Sequence, residues 1–387
     1  MMVDIVRRFS DLVAPVTVND FTDTIAAKSH FYIQGPDDKF SNVASWEMIN
    51  RLLERTSLWN SRLLTLAKDG PTLDAEQYCR ADTDVDGHAI MRPVPSLIRK
   101  HLKDGATLVL NQADMLTPEL AAVSACLKLH FGAQIKCNIY CSWQENQGFA
   151  THFDGRDVFV LQIAGEKTWH LYDGFYELPM GNSPYTFRLG AEENERLKGN
   201  CIERVEMTPG DLLYIPRGQY HDAIASSDAS LHLTFGVVQM LGIEVMDMLQ
   251  AGFVDEPLFH EPLPHFDDPA ALQSHIGRLA DRLSEILASP EAGVMVRETQ
   301  KSVAMQEFSA EYDLRYSGEI STFRVVHDGL IERAGKGSDL VAIFEWTAER
   351  DYFSDRDLVA AFPSLKSDGV VYVLGELIAA NRIIKIA

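Results

Sequence analysis

Apolar residues recur along this chain with two periods, and the switches between them divide it. Over the first hundred residues, short apolar runs (HFYIQG at 30–35, SRLLTLA at 61–67) flank one amphipathic stretch, SWEMINRLLER at 45–55. Ser45 stands where an N-cap belongs, and Ile49, Leu52 and Leu53 share one face, which predicts a helix. ATLVLN (106–111) predicts a buried strand. TPELAAVSACLKLHFG (117–132) predicts a second helix, with Thr117 as cap, Pro118 at its first position and Gly132 just past its end.

From 134 to 238 the texture becomes that of strands. QIKCNIYCSW, DVFVLQIAG, KTWHLYD, CIERVEM, DLLYIP and SLHLTFGVV are separated by Gly, Pro, Asn and Asp, which predicts antiparallel strands closing as a sandwich or barrel. Cys137 and Cys141 lie four apart in one such run, so both face one side as small apolar groups. Past about 240 the helical period returns in IEVMDMLQAGF and in AALQSHIGRLADRLSEILA, whose Leu279, Leu283, Ile286 and Leu287 form a stripe. The Pro-rich acidic VDEPLFHEPLPHFDDP between them predicts an exposed crossing. From about 316 strand and helix signals alternate in an order that resembles a small winged-helix module.

Composition narrows the picture. The chain has 387 residues, 46% hydrophobic and 24% charged, the profile of a globular protein of two or three domains. No run approaches the ~18 apolar residues that span a membrane, and the start carries no signal-peptide core. Five cysteines without a C-x-x-C pair argue against a disulfide framework or a Cys-rich zinc site. A cytoplasmic location is expected. The net charge of −21 disfavours direct binding of nucleic acid and would attract a basic partner, though acidity also serves solubility.

The candidate chemistry lies in the strand-rich middle. His152 and Asp154, two residues apart in THFD, would project from one face at strand spacing. His221 follows the turn-strand-turn PGDLLYIPRGQY, 67 residues after Asp154, and sits just beyond that second turn. Two imidazoles and one carboxylate make the facial triad of non-haem Fe(II) oxygenases, with open positions for a bidentate co-substrate and O₂. His265-Phe266-Asp267 repeats the H-F-D pattern in the acidic linker without a following strand, and reads as solvated surface. Lys167 begins the strand after the Gly165-Glu166 turn. A lysine on the inner face needs an anion, and the far carboxylate of a chelated dicarboxylate would supply it; a surface hairpin lysine is the plainer reading. The Asp82–Gly87 run opens like a Ca²⁺ loop, but Pro93 occupies the twelfth position, so it reads as a solvated acidic turn.

The segments ATLVLNQADMLTPELAAV, NIYCSWQENQGFATHFDGRDVFVLQIAGEKTWHLYD, PGDLLYIPRGQYHDA and SLHLTFG resemble the JmjC/cupin-type 2-oxoglutarate oxygenases, and within them the ribosomal oxygenases, which hydroxylate side chains of ribosomal proteins. The resemblance covers roughly residues 100–240. It implies an α+β fold with a mainly β core, a double-stranded β-helix of the cupin/JmjC jelly-roll kind. It also implies a catalytic domain over 1–240, a helical dimerisation region over 241–315 and a winged-helix-like domain over 316–387. By the same resemblance His152, Asp154 and His221 hold Fe(II), and Lys167, Thr234 and Asn138 bind 2-oxoglutarate. Tyr140, Gln147 and Arg156 border the substrate pocket, the loop at Gly155-Arg156 departing from what relatives often carry. His232 reads as core or as backing to the site, and His170 faces away from it. The implied activity is O₂-dependent hydroxylation of arginine, or else histidine, on a basic ribosomal protein by a homodimer that contacts neither nucleic acid nor membrane. A hydroxylase of a free amino acid or small peptide, and a non-enzymatic metal-binding cupin regulator, are the alternatives.

Overall fold

The computed structural model describes residues 8–84, 86–143, 148–181, 189–305, 322–325, 338–348, 350, 352–365, 367–379 and 382–385. Its first helices are α1 (Phe9–Val13), α2 (Val18–Ala26), α3 (Trp46–Leu53), α4 (Pro95–Lys103), α5 (Pro118–Phe131) and α6 (Ala191–Leu197). The strands in this region are β1 (Phe31–Ile33), β2 (Leu64–Ala67), β3 (Cys79–Thr83), β4 (Ala89–Pro93), β5 (Thr107–Leu110), β6 (Gln134–Trp143), β7 (Asp157–Ala164), β8 (Lys167–Phe175), β9 (Cys201–Met207), β10 (Leu212–Ile215), β11 (Gln219–Ala225) and β12 (Ala229–Val238).

A seven-stranded antiparallel sheet of order β1-β10-β7-β12-β6-β5-β2 faces a three-stranded sheet of order β11-β8-β9. Alternation on the strands explains the layering. On β6 and β12 the odd-numbered residues, among them Ile139, Cys141, Leu233 and Phe235, join Leu120, Val123 and Leu127 of α5 and Phe9 and Phe21 of α1 and α2 in the largest core. Each such side chain, once fully buried, contributes about 1.5–3 kcal/mol. The even-numbered residues turn inward between the sheets. At one end Val158, Val160, Trp169, Leu171, Met207 and Leu213 close a second apolar cluster. At the other end the inward residues are polar, and the sandwich opens into a cavity. Gly165 makes the β7–β8 turn with φ of 64°, where a Cβ would overlap the Ala229 carbonyl.

Predicted caps are borne out. Ser45 accepts from the Met48 N–H at 3.2 Å and Thr117 from Leu120 at 3.3 Å, while Gly132 ends α5 in the left-handed region. Cys137 and Cys141 are both buried on one face. The sequence pattern missed α1, α2, α4 and α6, which are short, and the β3–β4 hairpin, whose tip holds the acidic run; there Asp84 accepts from the Asp86 and His88 N–H groups.

Beyond the sheets come α7 (Gly242–Phe253), α8 (Pro269–Ala288) and α9 (Pro290–Met305), with α9 packed on both α8 and α5. The linker before α8 is tied to it by Glu256 with Arg282 at 2.6 Å and Glu261 with Arg278 at 2.9 Å. A C-terminal unit comprises β13 (Thr322–Val325), α10 (Ser338–Ala348), β14 (Tyr352–Ser354), α11 (Asp355–Ala361), α12 (Ser367–Ala379) and β15 (Ile383–Lys385). Its sheet has the order β14-β13-β15, and Phe323, Ile343, Phe353, Leu358 and Leu377 form a core of its own. The expected boundary at 315/316 lies outside the described residues. Among the described residues no helix is long and apolar enough to cross a membrane.

Candidate metal centre

His152, Asp154 and His221 come together with one ligand atom from each within 4.8 Å of the others. His221 sits just beyond the Pro216–Gly218 turn, inside strand β11, and an isolated bridge pairs it with His152 through N–H···O bonds of 2.9 and 3.1 Å. Sequence alternation predicted that His152 and Asp154 lie on one strand face. Instead the chain leaves the bridge after His152, and Phe153 stacks on Tyr176 at 4.6 Å and meets Tyr220 edge-on. That apolar anchor turns Asp154 back toward the histidines, with its Oδ2 3.6 Å from the His221 Nε2.

Both imidazoles are held by backbone carbonyls two residues upstream. His152 Nδ1 donates to Ala150 O at 2.8 Å, and His221 Nδ1 donates to Gln219 O at 2.9 Å. A carbonyl only accepts, so each ring carries its proton on Nδ1 and keeps its Nε2 lone pair for the site. Burial, with His152 alongside, pushes His221 down to about 4, so it is neutral at ordinary pH. Two imidazole nitrogens with one carboxylate fit a divalent transition metal.

Asp222, the next residue on β11, points to the outer side. Its carboxylate accepts from Thr151 Oγ1 at 2.7 Å, from the Tyr172 hydroxyl at 2.7 Å and from His170 Nδ1 at 2.8 Å. These bonds hold it below the ordinary carboxylate range against the opposing effect of its burial. Thus one carboxylate ties Thr151, the neighbour of His152, to strand β8 beside His221. Sequence reading placed His170 on this outer side correctly and passed over Asp222; alternation with His221 was the available signal.

The cavity in front of the triad measures about 580 Å³. Asn138, Tyr140, Arg156, Lys167 and Thr234 all line it. Gln147 lies outside the described residues. Register explains the grouping: Asn138 pairs with Thr234 and Tyr140 with His232 across β6 and β12. Lys167 enters from the opposing sheet and is 5% exposed. Its Nζ donates to Ser142 Oγ at 3.3 Å, which lies 3.0 Å from Thr107 Oγ1. Burial lowers the ammonium to about 7, and among the described residues no carboxylate pairs with it. Ser142 and Thr107 were not anticipated, although Ser142 continues the inward parity of Asn138 and Tyr140.

His232 stacks on Tyr140 at 4.7 Å and meets Trp169 edge-on at 5.7 Å. Its Nδ1 and the Trp169 Nε1 are buried without a hydrogen-bond partner among the described residues. Burial, reinforced by Lys167, holds His232 well below the ordinary histidine range. Buried, unpartnered polar atoms around a lysine describe a pocket shaped for a polar anion. The second H-F-D behaves as predicted, with His265 and Asp267 both exposed. Asp84, Asp86 and His88 also approach one another at the β3–β4 tip, mostly exposed.

Residues 110–244 match the JmjC domain family. Among curated proteins, the chain is 30% identical over 228 residues to the bifunctional lysine-specific demethylase and histidyl-hydroxylase NO66 of Dictyostelium discoideum, covering 58% of this chain and 41% of that protein. It is 31% identical over 236 residues to NO66 of Drosophila pseudoobscura pseudoobscura, covering 60% and 23%. The chain thus spans less than half the length of these relatives. Among solved structures, the Escherichia coli ribosomal oxygenase YcfD aligns with TM-score 0.53 at 16% identity, over 96% of this chain and 98% of that one. YcfD in complex with cobalt and 2-oxoglutarate aligns with TM-score 0.53 at 15% identity, over 95% and 98%. At these identities the likeness shows the fold.

Proposed function

We propose that this chain, whose residues 110–244 match the JmjC domain family, is a 2-oxoglutarate oxygenase that hydroxylates a side chain of a basic protein. The observation that carries the reading is the pairing of two features in one cavity: the His152–Asp154–His221 triad, and the buried Lys167 facing it without a carboxylate partner. His152, Asp154 and His221 would hold Fe(II), and Lys167, Asn138 and Thr234 would hold 2-oxoglutarate. When bound, iron, 2-oxoglutarate and O₂ supply the oxidising equivalents that convert a C–H bond to C–OH, with succinate and CO₂ as co-products.

The chain's own contribution is placement. Lys167, backed by Ser142 and Thr107, receives the carboxylate distal to the metal. Asn138, which pairs with Thr234 across the sheet, shares the cavity wall with Tyr140. Trp169 and His232 close the floor against water. The names of NO66 and YcfD, a histidyl hydroxylase and a ribosomal oxygenase, support a ribosomal protein as substrate, and the −21 charge would draw a basic one.

The domain plan is part of the same proposal: a catalytic unit over 1–240, a dimerising helical region over 241–315, and a winged-helix-like domain over 316–387. Exposed Ile276 and Leu287 on α8 and Val294 on α9 support the dimer face.

The test is anaerobic titration of the full chain with Fe(II) and 2-oxoglutarate, read by the visible charge-transfer band of the chelate. The band is expected in the wild type, absent in His152→Ala and weakened in Lys167→Ala. A wild type that binds metal and shows no band would overturn the 2-oxoglutarate reading.

A further inference from the structure

We propose that Arg156 is a charge filter at the substrate end of the cavity, admitting an uncharged or anionic hydrogen-bond acceptor and excluding guanidinium and ammonium side chains. This rests on the oxygenase reading of the site and names the class of side chain that it accepts.

The first observation is the charge inventory of the cavity wall. Its cations are Lys136, Arg156 and Lys167, and its carboxylates are Asp154 and Asp222. Neither carboxylate is free to receive a cation. Asp154 belongs to the triad, and Asp222 already accepts from three side chains and faces the outer side. A guanidinium or ammonium entering here would leave water for a wall that offers it no counter-charge among the described residues, which is costly.

The second observation is how Arg156 is placed. It follows Asp154 by two residues, and its aliphatic stem lies across Gly236 of β12, where a Cβ would overlap its Cδ. Gly236 pairs with Lys136 on β6, so the two cations flank one glycine on the cavity wall. The Arg156 charge acts on the Tyr140 hydroxyl, next to the charge of Asp154. Among the described residues Arg156 makes no ion pair and no side-chain hydrogen bond. A guanidinium carries five N–H donors and no acceptor, so the group that completes it must accept. A neutral imidazole, a side-chain amide and a carboxylate each do so. The nearer wall of α6 contributes Ala191 and Asn194, which carry no charge to offset the filter.

The acidic exterior and the cationic cavity therefore select at two levels. The exterior favours a basic partner, while the cavity rejects that partner's own lysines and arginines and takes a non-cationic residue set among them. This reverses the arginine preference drawn from family resemblance.

The experiment uses the full chain loaded anaerobically with Fe(II) and 2-oxoglutarate. Fluorescently labelled peptides share one basic flanking sequence and differ only at a central His, Asn or Arg. Binding is read by anisotropy, and succinate formation is read after O₂ is admitted. The wild type is expected to prefer the His or Asn peptide over the Arg peptide by on the order of 10- to 100-fold, the range set by like-charge repulsion at a partly buried site. Arg156→Glu should shift the ratio toward the Arg peptide, Arg156→Gln should bring it near one, and Arg156→Lys should restore it. A wild type that favours the Arg peptide, one that binds none of the three, or ratios in Arg156→Gln and Arg156→Glu that stay within twofold of the wild-type value would each overturn the filter. Failure of the oxygenase reading looks different: the binding ratios hold while neither the charge-transfer band nor succinate appears.

Discussion

Replacing Asp222 tests whether a carboxylate that touches no metal governs the geometry of the two histidines. The carboxylate is 5% exposed and receives hydrogen bonds of 2.7, 2.7 and 2.8 Å from Thr151, Tyr172 and His170. Bonds to a charged acceptor contribute about 1.5–3 kcal/mol each. They are not additive, and His170 is partly solvated, so Asp222→Ala should cost about 3–5 kcal/mol, as when one partner of a buried charged network is removed. Thr151→Val and Tyr172→Phe should cost about 1.5–3 kcal/mol each. The assay is urea unfolding of the metal-free chain at pH 7, with the midpoint compared at constant slope. The same variants, titrated with Co(II), should bind it about 10- to 100-fold more weakly, since residues behind metal ligands act on affinity at that scale. The pH dependence has a fixed sign. The folded-state pKa is depressed, so the stabilisation is present above the ordinary carboxylate range and is lost as pH falls through the folded value. A loss below about 1 kcal/mol in Asp222→Ala, with Co(II) affinity unchanged, would refute the reasoning.

Lys167, lowered by burial to about 7, should take up a proton when 2-oxoglutarate binds at pH 8; calorimetry in buffers of different ionisation enthalpy should detect it in the wild type and not in Lys167→Met. Because that depressed pKa means burial disfavours the ammonium, Lys167→Met should stabilise the metal-free fold at pH 7 by at least about 1 kcal/mol, and a destabilised variant would contradict the account. Burial also lowers His130, stacked on Phe9 at 3.7 Å, and His232, so unfolding free energy should fall as pH drops below about 6.5; a flat profile between pH 5 and 7 would show that these rings are not held neutral. Gly236→Ala should push the Arg156 stem aside at a cost of about 1 kcal/mol, and should flatten the peptide selectivity while leaving Co(II) affinity unchanged.

Much of this molecule is local in origin. The caps at Ser45 and Thr117, the α5 stop at Gly132 and the strands from β5 to β12 other than β11 follow from alternation and turn residues within each segment. The inward parity of Asn138 and Tyr140 follows in the same way. His152, Asp154, His221 and Lys167 stood out because a histidine pair, a carboxylate and a turn lysine beside strong strands have few other uses. Short helices such as α1 and α4 were not legible: unlike α3, which Ser45 caps, neither has a side-chain N-cap bond to mark its start, and tertiary packing stabilises them. Strand β11 was hidden because QYHDAIA mixes polar and apolar residues on both faces; its pairing with β8 makes it a strand. Three further features exist only across the fold. The Asp222 network joins residues 50 and more positions apart. Ser142 and Thr107 meet Lys167 only because the two sheets face each other. That Arg156 has no ion-pair partner among the described residues is visible only once the strands and helices lining the cavity are assembled. Local pattern was enough to single out His152, Asp154, His221 and Lys167 and to orient the side chains of the strands that alternate. The tertiary structure alone decided which charges find partners, because desolvation and pairing depend on neighbours that the chain order does not adjoin.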